Sequence, residues 1–127
     1  MDTKLTKIAS IIAFIIGAMA IFAGGKVLIG LPVDYYVIDW LPTYNFTLGL
    51  ISAGFTAIVI WKGNKFAMPA ALATFASHAT VMLIIQTAYK DVVAPDSTQA
   101  MTLRLSVWFI ILALMFIQAR KNKQSSN

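Results

Sequence analysis

Four apolar runs, each near the length at which a helix crosses a membrane, constrain this chain more than anything else in it. They fall at about residues 7–25, 43–61, 67–89 and 97–120. A helix needs about 20 predominantly apolar residues to span the hydrocarbon of a bilayer. Between the runs the charges are few and gathered into short clusters. They make up 12% of the residues, and the mean hydropathy is +0.78, where a soluble domain carries about 25% charged residues. The pattern predicts an all-α, integral membrane four-helix bundle. It forms one transmembrane domain over residues 1–127, and residues 121–127 are expected to be a flexible cytoplasmic tail.

Small residues mark the faces on which these helices would meet. In the first run Ala9, Ala13 and Gly17, then Ala20 and Gly24, recur at a spacing of four. That spacing puts each set on one face, where helix backbones can approach closely. Such a stripe serves packing inside the chain or a seam between two copies. Gly49, Ala53 and Ala57 repeat the device in the second run, which is expected to begin near Pro42 or Thr43 and to end at Trp61. Lys62-Gly63-Asn64-Lys65 is too short a turn to allow anything but antiparallel neighbours. The third run carries Pro69 in its first turn and is rich in Ala, Ser and Thr, which predicts the most enclosed helix of the set. Asp96-Ser97-Thr98-Gln99 resembles a capping box. Beyond Arg104 the fourth run is bulky and apolar on nearly every side, as a lipid-facing helix would be.

The segment Gly24–Asn45 is too polar to span a bilayer and too apolar for a solvated linker. It holds two of the four prolines and three of the four tyrosines. It reads as an interfacial loop between helices one and two, folded over the mouth of the bundle. Its Tyr35, Tyr36, Trp40 and Tyr44 form either an aromatic belt at the interface or a lid and partner surface. At the other end of helix one, Lys4, Lys7 and the apolar core Ile8–Ala18 imitate a signal peptide. The run continues past Ala18-Met19-Ala20 through Ala23, so a retained first helix is expected.

Four helices place Lys4, Lys7, Lys62, Lys65, Arg120, Lys121 and Lys123 on one side and Lys26, Lys90 and Arg104 on the other. The excess of cations in short loops predicts a multi-pass protein of the cytoplasmic (inner) membrane with both termini cytoplasmic. The net charge of +5 is not interleaved with aromatics, so no nucleic-acid partner is expected.

No catalytic constellation is present. The chain has no cysteine, which removes thiol catalysis and Cys-ligated metals. No Gly-rich phosphate loop follows a strand, and no metal site is predicted. The candidate ligand-binding residues are His78, Gln86, Arg104, Trp40 and Tyr44. His78, the sole histidine, sits mid-helix. An ionisable group at that depth usually faces the interior. It could bond a quinone carbonyl, ligate a haem or relay a proton, or it could be a neutral imidazole bonded to a neighbouring helix. Arg104 could snorkel to the interface, or turn inward and pair with Asp34, Asp39 or Asp96. With Lys26 it could also hold a lipid phosphate. The expected site is a cavity with His78 as its floor and Gln86 and Arg104 in its wall. No cofactor is named by any of these residues.

Phe22-Ala23-Gly24-Gly25-Lys26-Val27-Leu28, followed by a loop, the glycine-containing Leu48-Gly49-Leu50 and a basic turn into an Ala-rich helix, resembles the DoxX-like small four-helix membrane proteins. The resemblance spans about residues 14–89; the long aromatic loop and Asn64 depart from it. It implies an accessory role in respiratory-chain or redox-linked membrane complexes, or in the assembly of other membrane proteins. Two functions therefore stand as expectations. One is a non-enzymatic accessory or interaction protein whose partners are the lipid bilayer and another membrane protein or a second copy of the chain. The other is a subunit that binds a quinone or other apolar ligand through His78.

Overall fold

The computed structural model describes residues 2–125. These form four helices, each long and apolar enough to cross a membrane: α1 (Lys4–Leu28), α2 (Leu41–Trp61), α3 (Ala67–Thr87) and α4 (Pro95–Ser125). Among the described residues there is no strand. The helices run alternately in opposite directions. α1 packs on α2 and α4, α4 also packs on α3, and α2 meets α3 more sparsely. The first and last described residues and the Lys62–Phe66 turn therefore lie at one end, called here the terminal end. The 29–40 loop and the α3–α4 turn lie at the other, the loop end.

Glycine sets two of the boundaries. Ile29 ends α1 and Gly30 follows at φ +90°. The Gly30 N–H then donates to the Val27 carbonyl and the Leu31 N–H to that of Lys26, each at 2.9–3.0 Å. This pair of bonds is the Schellman ending, which needs the left-handed conformation that glycine adopts without a Cβ penalty. Gly63, at φ +63°, repeats it after α2: its N–H meets Ile60 and the Asn64 N–H meets Val59. Asn64 then turns the chain into α3. Its side-chain oxygen accepts the Phe66 N–H at 2.9 Å and its carbonyl accepts the Ala67 N–H at 3.0 Å.

Three expectations are corrected. α4 begins at Pro95, not after a capping box at Asp96, because the Ala94 carbonyl already accepts the Ser97 and Thr98 N–H groups. Proline suits that first position, having no N–H to leave unpaired. The segment 121–125 is helical, not a flexible tail; residues 126 and 127 lie outside the described residues. The last turns are held by the start of α1: the Leu5 N–H donates to Gln118 Oε1 at 2.8 Å, and Asn122 Nδ2 donates to the Asp2 carbonyl at 2.9 Å. Finally, α3 is not the most enclosed helix. α1 is, because its small stripe lets α2 come close while α4 covers its other side.

That stripe faces α2 over its whole length. A Cβ on Gly17 would stand 2.7 Å from the Ala53 backbone nitrogen, and one on Gly49 would stand 2.7 Å from Gly17 O and from Ile21 N. At Gly24 it would strike the backbone of Pro42. Ser10 and Ser52 bond across the same seam, to the carbonyls of Ala57 (2.6 Å) and Ala13 (2.9 Å). Within α2, residues Ser52–Thr56 form a π-helical turn. Ser52 and Ala53 are buried against α1, while the buried Thr56 hydroxyl lies 3.4 Å from that of Thr74 on α3.

The core at the terminal half gathers Ile16, Val59, Ile60, Trp108, Ile111 and Met115 around the alanines of α1 and α3. Trp108 is fully buried, and nothing in the structure explains why its indole N–H is unpartnered. α4 is thus buried along one stripe (Met101, Arg104, Trp108, Ile111, Met115 and Gln118), not lipid-facing all round. Its outer side, like those of the other helices, carries large exposed apolar groups, among them Phe14 and Phe22 on α1, Phe55 on α2, Leu83 on α3 and Phe109 on α4.

Candidate functional site

At the loop end, polar groups that the sequence scatters over six tens of residues come together. The loop carries the first of the anchors. Ile38 is 1% exposed and packs with Leu41, Val81, Ile85 and Met101, so the loop does fold down onto the outer ends of α3 and α4. The fold-down is partial: Leu28, Ile29 and Leu31 remain on the surface, Ile29 at 77% exposure. The physical reason is the Schellman ending at Gly30, which turns the chain away from the helices before residues 35–41 bring it back.

Two aromatic pairs then tie the start of α2 to α3 and the turn that follows it. Trp40 Nε1 donates to the Tyr89 hydroxyl at 3.0 Å, with the rings edge to face at 5.9 Å. Tyr44, one turn further, places its hydroxyl 2.8 Å from His78 Nδ1, again edge to face at 5.8 Å. His78 is 3% exposed. A buried imidazole nitrogen needs a partner, and the phenol supplies it from the neighbouring helix. If the phenol donates, the ring proton sits on Nε2; if Nδ1 carries the proton, the phenolic oxygen accepts.

Arg104 turns inward and is 5% exposed. Its partner is not an acid: Nη1 donates to Asn45 Oδ1 at 2.5 Å, and among the described residues none of Asp34, Asp39 and Asp96 pairs with it. The expected ion pair is thereby corrected. Asp34 and Asp39 lie on exposed loop backbone, while Asn45, one turn into α2, lies where α4 can reach it. Arg104 also lines a small pocket of about 50 Å³ under the loop, bounded by Val27 of α1, Tyr35 of the loop, Pro42 and Asn45 of α2, and Ser97 and Asp96 of α4.

The single cavity expected from the sequence is not what forms. His78 lies between α2 and α3 against Tyr44, whereas the Arg104 pocket lies between α1, α2 and α4. Gln86 belongs to neither; it is exposed and donates to Thr98 Oγ1 at 3.2 Å across the α3–α4 surface. Tyr44 and His78 are in contact, Trp40 pairs with Tyr89 and Arg104 with Asn45, while Gln86 stands apart. Sequence reading missed Asn45 and Ser97. Asn45 carried a usable signal, a polar amide in the first turns of an apolar helix, but the acids nearby drew the pairing away from it. Among the described residues no three metal-binding side chains come together. What the cluster offers is a buried guanidinium, two phenols and an imidazole: groups that bind and orient. The chain matches no family model, no curated protein and no solved structure.

Proposed function

We propose that the chain is an integral membrane four-helix bundle of the cytoplasmic (inner) membrane, both termini cytoplasmic, acting as a non-enzymatic accessory or interaction protein. The observation that carries the membrane reading is the apolar outer surface: all four helices present large hydrophobic side chains outward. A soluble monomer rarely exposes a contiguous apolar patch beyond a few hundred Å², and lipid is the solvent in which such a surface is at no disadvantage. The orientation rests on the cation excess at the terminal end. Lys7 supports an interface there, its ammonium lying 3.9 Å from the centre of the Trp61 ring.

The accessory role rests on the DoxX-like resemblance and on the absence of a reactive constellation from the residues that cluster at the loop end. The quinone reading asks His78 to meet a ligand carbonyl, and Tyr44 already occupies its Nδ1. Purification from native membranes in mild detergent separates the two. The accessory reading expects a stoichiometric membrane-protein partner and no quinone. A quinone that copurifies one to one, and is lost in His78→Leu while the fold persists, replaces it with the redox reading. Reporter fusions after residue 125 and in the Lys62–Phe66 turn should both read cytoplasmic, and one in the α3–α4 turn external; a cytoplasmic readout there breaks the four-span topology.

A further inference from the structure

Arg104 is a buried cation whose surroundings supply a neutral amide in place of a counter-ion. A guanidinium has five N–H donors and no acceptor. Among the described residues only one of these is bonded, to Asn45. About nine residues, or roughly 13 Å at 1.5 Å per residue, separate it from the start of α4. A charge left that deep without a counter-ion is expensive, and in membrane segments it marks a functional site by default. The guanidinium lines a pocket rather than a packed wall. The volume of about 50 Å³ corresponds to roughly three to five water positions, enough for a carboxylate or a phosphate group. Two further residues that carry hydroxyl donors line it, Tyr35 and Ser97, while Val27, Val37 and Met101 give it an apolar side. One group opposes an anion: Asp96 also lines the pocket, but it is exposed at the mouth.

The geometry points to an oxyanion-binding site under the loop, in which Arg104, held by Asn45, takes a carboxylate or phosphate group with help from Tyr35 and Ser97. Arginine suits this task because its planar fork matches two oxygens at once. The group is the head of an anionic amphiphile or a free small anion. The amphiphile source rests on the membrane reading above; the free-anion source does not.

The test uses the purified full-length chain in neutral detergent at fixed ionic strength. Thermal unfolding is followed while inorganic phosphate, acetate, or phosphatidylglycerol in mixed micelles is titrated, with phosphatidylcholine as the uncharged control. Saturable stabilisation by phosphate or acetate assigns a free anion. Stabilisation by phosphatidylglycerol alone, with phosphatidylcholine inert, assigns a lipid head. Either result supports the site if Arg104→Gln weakens the apparent affinity roughly tenfold to a hundredfold, the effect of losing a charged hydrogen bond. Asp96→Asn, at an exposed position, keeps the proposal testable should Arg104→Gln fail to fold: it must tighten binding. No response to any anion, an unchanged response in Arg104→Gln, or an Asp96→Asn chain that loses stability without binding more tightly overturns the proposal. The last result would make Asp96 the internal counter-ion. Membrane insertion is scored separately, by carbonate extraction of native membranes, so a soluble chain with a working phosphate site would fail the membrane reading and not this one.

Discussion

Along one face of α2, Gly49 lies so close to α1 that an added Cβ would stand 2.7 Å from two backbone atoms. Along another face, Tyr44 and Thr56 reach α3 through their side chains, and Trp40, just before the helix begins, reaches Tyr89 in the turn after α3. The α1–α2 seam is made of absence: glycine, alanine and serine bring the serine hydroxyl of each helix within bonding reach of a backbone carbonyl of the other. The α2–α3 seam is made of bulk, with hydroxyl, indole and imidazole spanning what the backbones do not close. The difference teaches where function can reside. Where Gly17, Gly24 and Gly49 close the seam, the backbones leave no room for a ligand. A seam closed by polar side chains can exchange internal partners for external ones, and so can the pocket that opens at the loop end between α1, α2 and α4.

The largest expected effect breaks the tight seam. Gly49→Leu must displace the backbone of Gly17 or Ile21, neither of which is a flexible end, so the cost should reach at least about 3 kcal/mol, the top of the overpacking range. Gly49→Ala should already cost about 1–3 kcal/mol. Unfolding in mixed micelles measures both. If Gly49→Ala is neutral, α1 and α2 are not in backbone contact and the comparison collapses.

His78→Leu addresses the other seam. It removes the partner of the half-buried Tyr44 hydroxyl, and the loss should be about 1–3 kcal/mol, the desolvation penalty of an unmatched polar group. Tyr44→Phe in the same chain should recover part of it, because removing both partners leaves nothing unmatched. A double-mutant cycle with a coupling near zero would show that the two rings are merely adjacent.

How far the sequence could be read follows the same division. The α1 and α2 stripes were legible, since periodicity of small residues within one helix fixes which face can approach another. Pro42, near the start of α2, was legible too, because backbone chemistry at helix starts is local. Tyr44 with His78, and Asn45 with Arg104, were not. These pairs lie 34 and 59 residues apart in the chain, and each depends on the rotation of two helices about their axes. The π-turn at Ser52–Thr56 shifts that rotation within α2, and nothing in Ser-Ala-Gly-Phe-Thr announces it. Arg104 illustrates the resulting error. Its inward turn was one of two alternatives, and its partner was sought among charges when the helix phase supplied an amide.

Ser52→Ala sharpens the comparison by testing whether polar bonds contribute to the tight seam at all. The Ser52 hydroxyl donates to the Ala13 carbonyl at 2.9 Å, a group that already accepts a bond within its own helix. Interhelical hydrogen bonds in membranes average about 0.6 kcal/mol, so the loss should be of that order and well below that of Gly49→Ala. A loss as large as the glycine's would mean that hydroxyls, not close backbones, hold α1 to α2.

The smallest effect is expected at Gln86, and it decides how far the polar cluster extends. Gln86 is exposed and its amide meets Thr98 at 3.2 Å on the outer surface of α3 and α4. Neither group is desolvated, and surface substitutions away from buried networks usually change stability by less than about 0.5 kcal/mol. Gln86→Ala should therefore leave unfolding unchanged within that margin. It should also leave the anion response of the Arg104 pocket untouched, because that pocket opens between α1, α2 and α4 and not toward α3. A Gln86→Ala chain that lost the anion response while remaining folded would join the two outer surfaces into one site, and the separation of the His78 seam from the Arg104 pocket would have to be given up.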